Sequence, residues 1–176
     1  MNRKLKLLGL FAAAGVTGHI GLVLAVPHAL MGIAMSRMSG DGAATNQFQF
    51  GDRTTKDSRR VVRPSPDLAY ASCVYDLSKG PLLVSAAPSP NQGYVSLSVF
   101  AANTDNIAAL DTTQYPDGIR FVLARKGQAV PAGVVLVQSP SDTGIILDRR
   151  LAPTAEAFAE VDKAWRADNC APLAQS

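Results

Sequence analysis

Between Leu7 and Met35 the chain carries no Asp, Glu, Lys or Arg, and no other feature restricts its architecture so strongly. A helix needs ~20 apolar residues to cross a hydrocarbon layer roughly 30 Å thick. Leu7 to Val26 meets that length, and Pro27 marks a break at the outer interface. A cleaved signal peptide is the alternative: it has the same basic start, but an apolar core of only ~7–15 residues with a small-x-small exit. Here the best exit, Val23-Leu24-Ala25, is buried inside the run, which favours a retained anchor over residues 1–35.

Orientation follows from the basic residues that flank the span. Arg3, Lys4, Lys6 and the amino group precede it, whereas Arg37 alone lies close behind, with Arg53 further on. The expected topology is single-pass, N-terminus in the cytoplasm, with the remainder exported. In a Gram-negative cell that places the anchor in the inner membrane and the rest in the periplasm. Two features inside the span carry weak functional signals. His19 is an ionisable group at mid-membrane depth without a carboxylate in the same helix. Ala14, Gly18, Gly21, Ala25 and Ala29 form a small-residue stripe of the kind that packs helices together, in a segment so rich in Ala and Gly that chance also produces one.

Charge divides at the same boundary. From Ser36 onward 14 Lys and Arg face 14 Asp and Glu, so the exported part is neutral and the excess of +3 belongs to the anchor. Nucleic-acid binding, which accumulates positive charge against phosphates, is therefore not expected. Residues 36–60 read as a linker rich in turn formers. The basic run Arg53, Lys56, Arg59, Arg60 and Arg63, interrupted by Asp57, is either a solvated tether or a strip lying on anionic head groups.

Residues 61–176 have the texture of a β domain. Ala69, Ala71, Cys73, Tyr75 and Leu77 alternate onto one face; Ser78-Lys79-Gly80-Pro81 makes a turn before Leu82-Leu83-Val84. Tyr94 to Ala101 predicts a strand with Val95, Leu97 and Val99 on one side and Ser96 and Ser98 on the other. Ile119 to Arg125, Gly133 to Gln138 and Gly144 to Arg150 complete the set. Short strands separated by Gly/Pro turns predict a mainly β fold, an antiparallel sandwich or barrel. One helix closes it: Thr154 is placed to cap, Glu156 to favour the positive helix end, and Phe158, Val161 and Trp165 share a face that covers the sheet.

Only two cysteines occur, Cys73 and Cys170, both beyond the span and in an oxidising compartment if the domain is exported. A disulfide between them would fasten the first strand to the C-terminal helix; two independent buried thiols are the alternative.

The block from Ser65 to Arg150 resembles the bacterial family called domain of unknown function 1254. Its opening Asn-x-Asp-Thr-x-Tyr pattern appears as Ser65-Pro66-Asp67-Leu68-Ala69-Tyr70, with Asp67 and Tyr70 matching and the Asn and Thr absent. Asp76-Leu77-Ser78, Pro81-Leu82-Leu83-Val84, Tyr94-Val95-Ser96-Leu97, Pro131-Ala132-Gly133 and Ile145-Ile146-Leu147-Asp148-Arg149 follow in the family's order. The resemblance implies an exported β-sandwich and brings no activity with it. Longer members carry a second β domain, domain of unknown function 1214, so a separately encoded protein of that kind is an expected partner.

Catalytic chemistry has little to stand on. Both histidines, His19 and His28, belong to the anchor region, which removes His-based triads and His-metal clusters from the exported part. No nucleophile-elbow or phosphate-loop pattern is present, and no motif asks for a cofactor or a metal. Asp105, Asn106, Asp111 and Asp117 read as turn formers in one loop, and their spacing misses the calcium-loop pattern. Asp67, Asp76 and Asp148 are the carboxylates left for acid–base work if the fold brings them together. Two functions from different classes remain. One is a non-catalytic envelope protein, which would expose an apolar patch or a strand edge. The other is a small-ligand binder or degenerate enzyme with a cleft lined by Asp67, Tyr70, Tyr94 and Arg149.

Overall fold

The computed structural model describes residues 2–58 and 64–174, with every side chain among them except that of Gln92. Arg59, Arg60 and Arg63 of the basic run lie outside the described residues.

Helix α1 (Arg3–Ser39) opens on an Asn2 cap and runs without interruption through Pro27. The expected break at Pro27 does not occur. A proline deletes one backbone hydrogen bond, and the residues after it (Ala29, Leu30, Met31, Ala34, Met35) are strong helix formers that sustain the rest. The helix ends at Gly40, whose left-handed φ of 57° lets its N–H return to the Ser36 carbonyl. Its first seven turns are exposed all round, and its last turns are buried on one side only. Met31 is buried against Val74 and Ile145, with Ala34, Met35, Met38 and Phe100 packed around them.

Part of the stretch read as linker is folded. Thr45 bridges Val74, and strand β1 (Phe48–Phe50) pairs antiparallel with β2 (Leu68–Asp76). Asn46 holds the entry, its Nδ2 donating to the Asp76 carbonyl at 3.0 Å and its Oδ1 accepting the Asp76 N–H at 2.7 Å. Only Phe48, Gln49 and Phe50 alternate here, too short a run to stand out, yet both phenylalanines pack on the core.

The remaining strands are β3 (Leu82–Ala86), β4 (Val95–Ala101), β5 (Asn106–Asp111), β6 (Ile119–Arg125), β7 (Leu136–Ser139), β8 (Thr143–Leu151) and β9 (Asn169–Pro172), with helix α2 (Ala155–Ala164) between the last two. They form a five-stranded sheet in the order β1-β2-β8-β4-β5 and a four-stranded sheet in the order β7-β6-β3-β9. The fold is mainly β, as expected, with one parallel pair, β6 with β7, among antiparallel neighbours. The loop reading of Asn106–Asp111 is corrected: the segment is strand β5, because Ala108 and Leu110 pair with Val99 and Leu97 of β4. Polar residues at both ends of β5 hid its apolar middle.

One core lies between the sheets. Ala69, Ala71, Cys73 and Tyr75 of β2, Val95, Leu97 and Val99 of β4 and Ile146 of β8 face Leu82 and Val84 of β3 and Ile119, Phe121 and Leu123 of β6. Thr154 caps α2 by accepting the Ala157 N–H at 3.1 Å. The face of Phe158, Val161 and Trp165 then closes the core beside β1, with the Trp165 ring 5.3 Å from Phe50 and edge-on to Phe158 at 5.9 Å. Cys73 and Cys170 stand with their Sγ atoms 2.09 Å apart, and the link joins β2 of one sheet to β9 of the other. The C-terminal partner is thus a strand that follows α2, not the helix itself. Gly144 makes a further close fit: a Cβ there would lie 2.1 Å from the Phe100 carbonyl and 2.4 Å from the Tyr75 hydroxyl.

Candidate functional site

Alternation in β8 sends Arg149 to the outer face of the five-stranded sheet and Asp148 and Arg150 to the inner face. The outer face holds most of the residues singled out in the sequence. Tyr70 of β2, Arg149 of β8 and Ser96 of β4 are directly opposite one another in register. Arg149 donates through one Nη to the Ser98 hydroxyl at 2.7 Å, while its Nε is buried without a hydrogen-bond partner. The Tyr70 hydroxyl accepts the Ser65 N–H at 2.9 Å. Tyr94, two residues before Ser96, is 42% exposed and its hydroxyl donates to Asp111 at 3.4 Å. Asp67 stands apart in the turn before β2, exposed, its backbone carbonyl accepting from Ala152.

Tyr70, Tyr94 and Arg149 therefore share one face, and Asp67 lies in the turn that leads into β2. A groove of about 330 Å³ lies elsewhere, between Ser89–Asn91 and the Glu156, Glu160 and Val161 side of α2. Nor do the three candidate carboxylates converge. Asp67 is in that turn, Asp76 is at the opposite end of β2, and Asp148 is inside the core. Ser96 and Ser98, on the side opposite Val95, Leu97 and Val99 as expected, are 5% and 0% exposed, Ser98 in contact with Arg149.

The inner face carries a cluster of charge of which the sequence reading singled out Asp148 alone. Arg150 donates from Nε to Asp148 at 2.9 Å, from Nη2 to Asp168 at 2.7 Å and from Nη1 to the Ala87 carbonyl at 3.0 Å. Asp168 also accepts the Ala87 N–H at 2.8 Å. All three charged side chains are fully buried. Two carboxylates and one guanidinium in a low-dielectric interior balance only if one carboxyl keeps its proton. Burial pushes both up: Asp148 above the ordinary carboxylate range, and Asp168 to about 7, with the Asp148 charge adding to the effect and Arg150 opposing it. Asp148 Oδ1 is buried without a hydrogen-bond partner.

Full burial keeps this cluster from any substrate in this conformation. What it does is join β8 to the segment after β3 and to the segment before β9, clasping the two sheets at one end. A signal for it existed: with Ile146 inward, period two puts Asp148 and Arg150 inward too. The third member, Asp168, lies beyond α2, and nothing local in the sequence pairs it with Arg150. Among the described residues no three His, Cys, Asp or Glu side chains are grouped to hold a metal ion.

Fold and site together define a two-sheet β domain, clasped by a buried ion cluster and joined to a long apolar helix. The chain belongs to the family described as protein of unknown function (DUF1254), whose model matches residues 45–172. That match begins at Thr45, where the folded part of the supposed linker starts. No curated protein matches the chain. Among solved structures it is similar to the VPA0106 protein from Vibrio parahaemolyticus, at 16% identity and a TM-score of 0.66, over 88% of this chain and 40% of that one. An uncharacterised protein from Burkholderia cenocepacia matches at 18% identity and a TM-score of 0.45, over 90% of this chain and 41% of its own. The chain thus spans about two-fifths of each, and the Vibrio likeness shows the fold.

Proposed function

We propose that this is a single-pass membrane protein, α1 crossing the inner membrane with its N-terminus in the cytoplasm, whose exported domain acts by contact with another exported protein and not by catalysis. One helix among the described residues is long and apolar enough to cross a membrane, and the bonded cysteines fit an oxidising compartment such as the periplasm. The observation that carries the contact reading is the rim of the four-stranded sheet. Val134, Val135 and Leu136 are consecutive, apolar and 39%, 41% and 38% exposed, and Leu136 opens the edge strand β7. Apolar residues in a row beside an open strand edge favour pairing with another protein. The partner suggested by the family resemblance is a separately encoded protein like domain of unknown function 1214. A second reading, a small-ligand site at Tyr70, Tyr94 and Arg149, is favoured by the unpartnered Arg149 Nε alone.

A photo-crosslinking residue at Val135 in living cells tests the contact reading, with one at Lys163 as the control. A defined protein adduct at 135, lost when Val134 is changed to Lys, supports it. Equal labelling at the two positions, or none at 135, overturns it.

A further inference from the structure

The same turns of α1 that lie on the sheet also carry its change in polarity. Exposed apolar side chains continue past Val26 to Leu30 and Ile33, 59% and 51% exposed. Met31, in the turn they share, is 6% exposed and packed on Val74 and Ile145. The next turn presents Ser36 and Arg37, both exposed. From Leu7 to Ile33 the apolar surface is about 40 Å long at ~1.5 Å per residue, longer than a hydrocarbon layer of roughly 30 Å. An apolar excess of that size draws whatever is attached to it toward the bilayer, because Leu30 and Ile33 are otherwise left in water. Arg37 marks the level at which a basic side chain reaches head groups. Since Ala34, Met35 and Met38 of these turns pack beside Phe100, the head-group level and the docking level coincide.

We propose that the corner of the five-stranded sheet formed by Val74, Ile145 and Phe100, with the β4–β5 turn next to it, is seated on the phospholipid head-group layer. The inference rests on α1 being a membrane span and adds what the span does to the domain. The domain is not tethered at a distance; it is held at the surface by a helix that changes role, from lipid contact to protein contact, within one turn. Arg53, by contrast, acts on Glu156 at the start of α2, beyond the end of β8 remote from this corner. This part of the basic run, read from the sequence as either a tether or a head-group strip, lies toward the other end of the sheet from the corner that α1 covers.

The test uses the full chain in vesicles of phosphatidylcholine and phosphatidylglycerol that contain a head-group spin-labelled lipid. A fluorophore is attached at Asp105→Cys, in the β4–β5 turn, or at Lys163→Cys on α2, with the native cysteines bonded to each other. Quenching several-fold stronger at residue 105 supports the seating. Met31→Asp, which leaves Leu7 to Val26 intact, should bring quenching at residue 105 down to that at residue 163. An alkaline wash separates the two ways to fail. Release from the vesicles overturns the anchor reading and the inference with it. Retention with equal quenching at the two positions, or quenching unchanged by Met31→Asp, overturns the inference alone.

Discussion

Arg149 and Arg150 are adjacent in β8 and occupy opposite faces of one sheet. Arg149 is half-buried on the outer face and meets a single serine hydroxyl; Arg150 is wholly buried and meets two carboxylates and a carbonyl. The same side chain is thus a surface residue at one position and a structural centre at the next. A half-buried guanidinium keeps part of its hydration through the atoms that still reach solvent, so its single pairing contributes little. A buried one has given up its water, so its partners cannot be removed without leaving a bare charge in the core. The difference teaches where disruption is expensive in this domain, and it is open to measurement with Trp165, the single tryptophan, as a buried fluorescent reporter.

The largest effect is expected from Arg150→Ala. It strands Asp148 and Asp168 in the interior, and loss of one member of a buried ion group costs about 3–5 kcal/mol. Urea unfolding followed by Trp165 fluorescence reads it directly; a loss no larger than that of Arg149→Ala would erase the distinction between the faces. Next comes the cross-sheet link. Changing Cys73 and Cys170 together to Ser frees a chain segment spanning 97 positions, and removal of such a link costs about 2–5 kcal/mol. An unchanged unfolding midpoint would mean that the buried clasp alone holds β9.

The pH dependence sharpens the comparison further. Asp168 titrates near 7 when folded, against 3.8 in its ordinary state. A raised carboxyl binds its proton more tightly in the folded chain, so its contribution is complete below about pH 3.8 and falls as pH rises toward 7, then levels off. Asp148 shifts in the same direction. Stability measured from pH 4 to 8 should therefore decline across that window, and Asp168→Asn should flatten the decline. A wild-type slope that survives in the Asn variant would place the proton elsewhere. The smallest effect is expected from Arg149→Ala, about 0–1 kcal/mol, with the pH profile unaltered. A larger loss would show that Ser98 depends on Arg149 for its cover.

Much of the frame was legible in the chain itself. Ile119–Arg125 matches β6 end to end, Thr154 caps α2, and the long uncharged run is a helix. These elements announce themselves locally, through alternation, a capping residue or sheer length. β1 and β9 did not, being three and four residues long and stabilised by their neighbours in the sheets. The candidate site was legible only in part. Tyr70, Tyr94 and Arg149 come together because β2, β4 and β8 are adjacent, and strand order is a property of the whole fold. Asp148 and Arg150 were in plain view but charged, and charge argues for the surface until its partner is known. That partner, Asp168, reaches them through α2 and the return of the chain into the four-stranded sheet.

The position of the sulfur link has a mechanical consequence. Cys73 is followed at once by Val74, the residue on which Met31 of α1 rests. Tension applied to β9 therefore passes through a covalent bond into β2, one residue from the support of α1. It bypasses the six strands between. Hydrogen-bonded ladders β3·β6 and β4·β8 lie off that load path, so a pull on the end of the domain would strain the helix seating before it sheared either sheet.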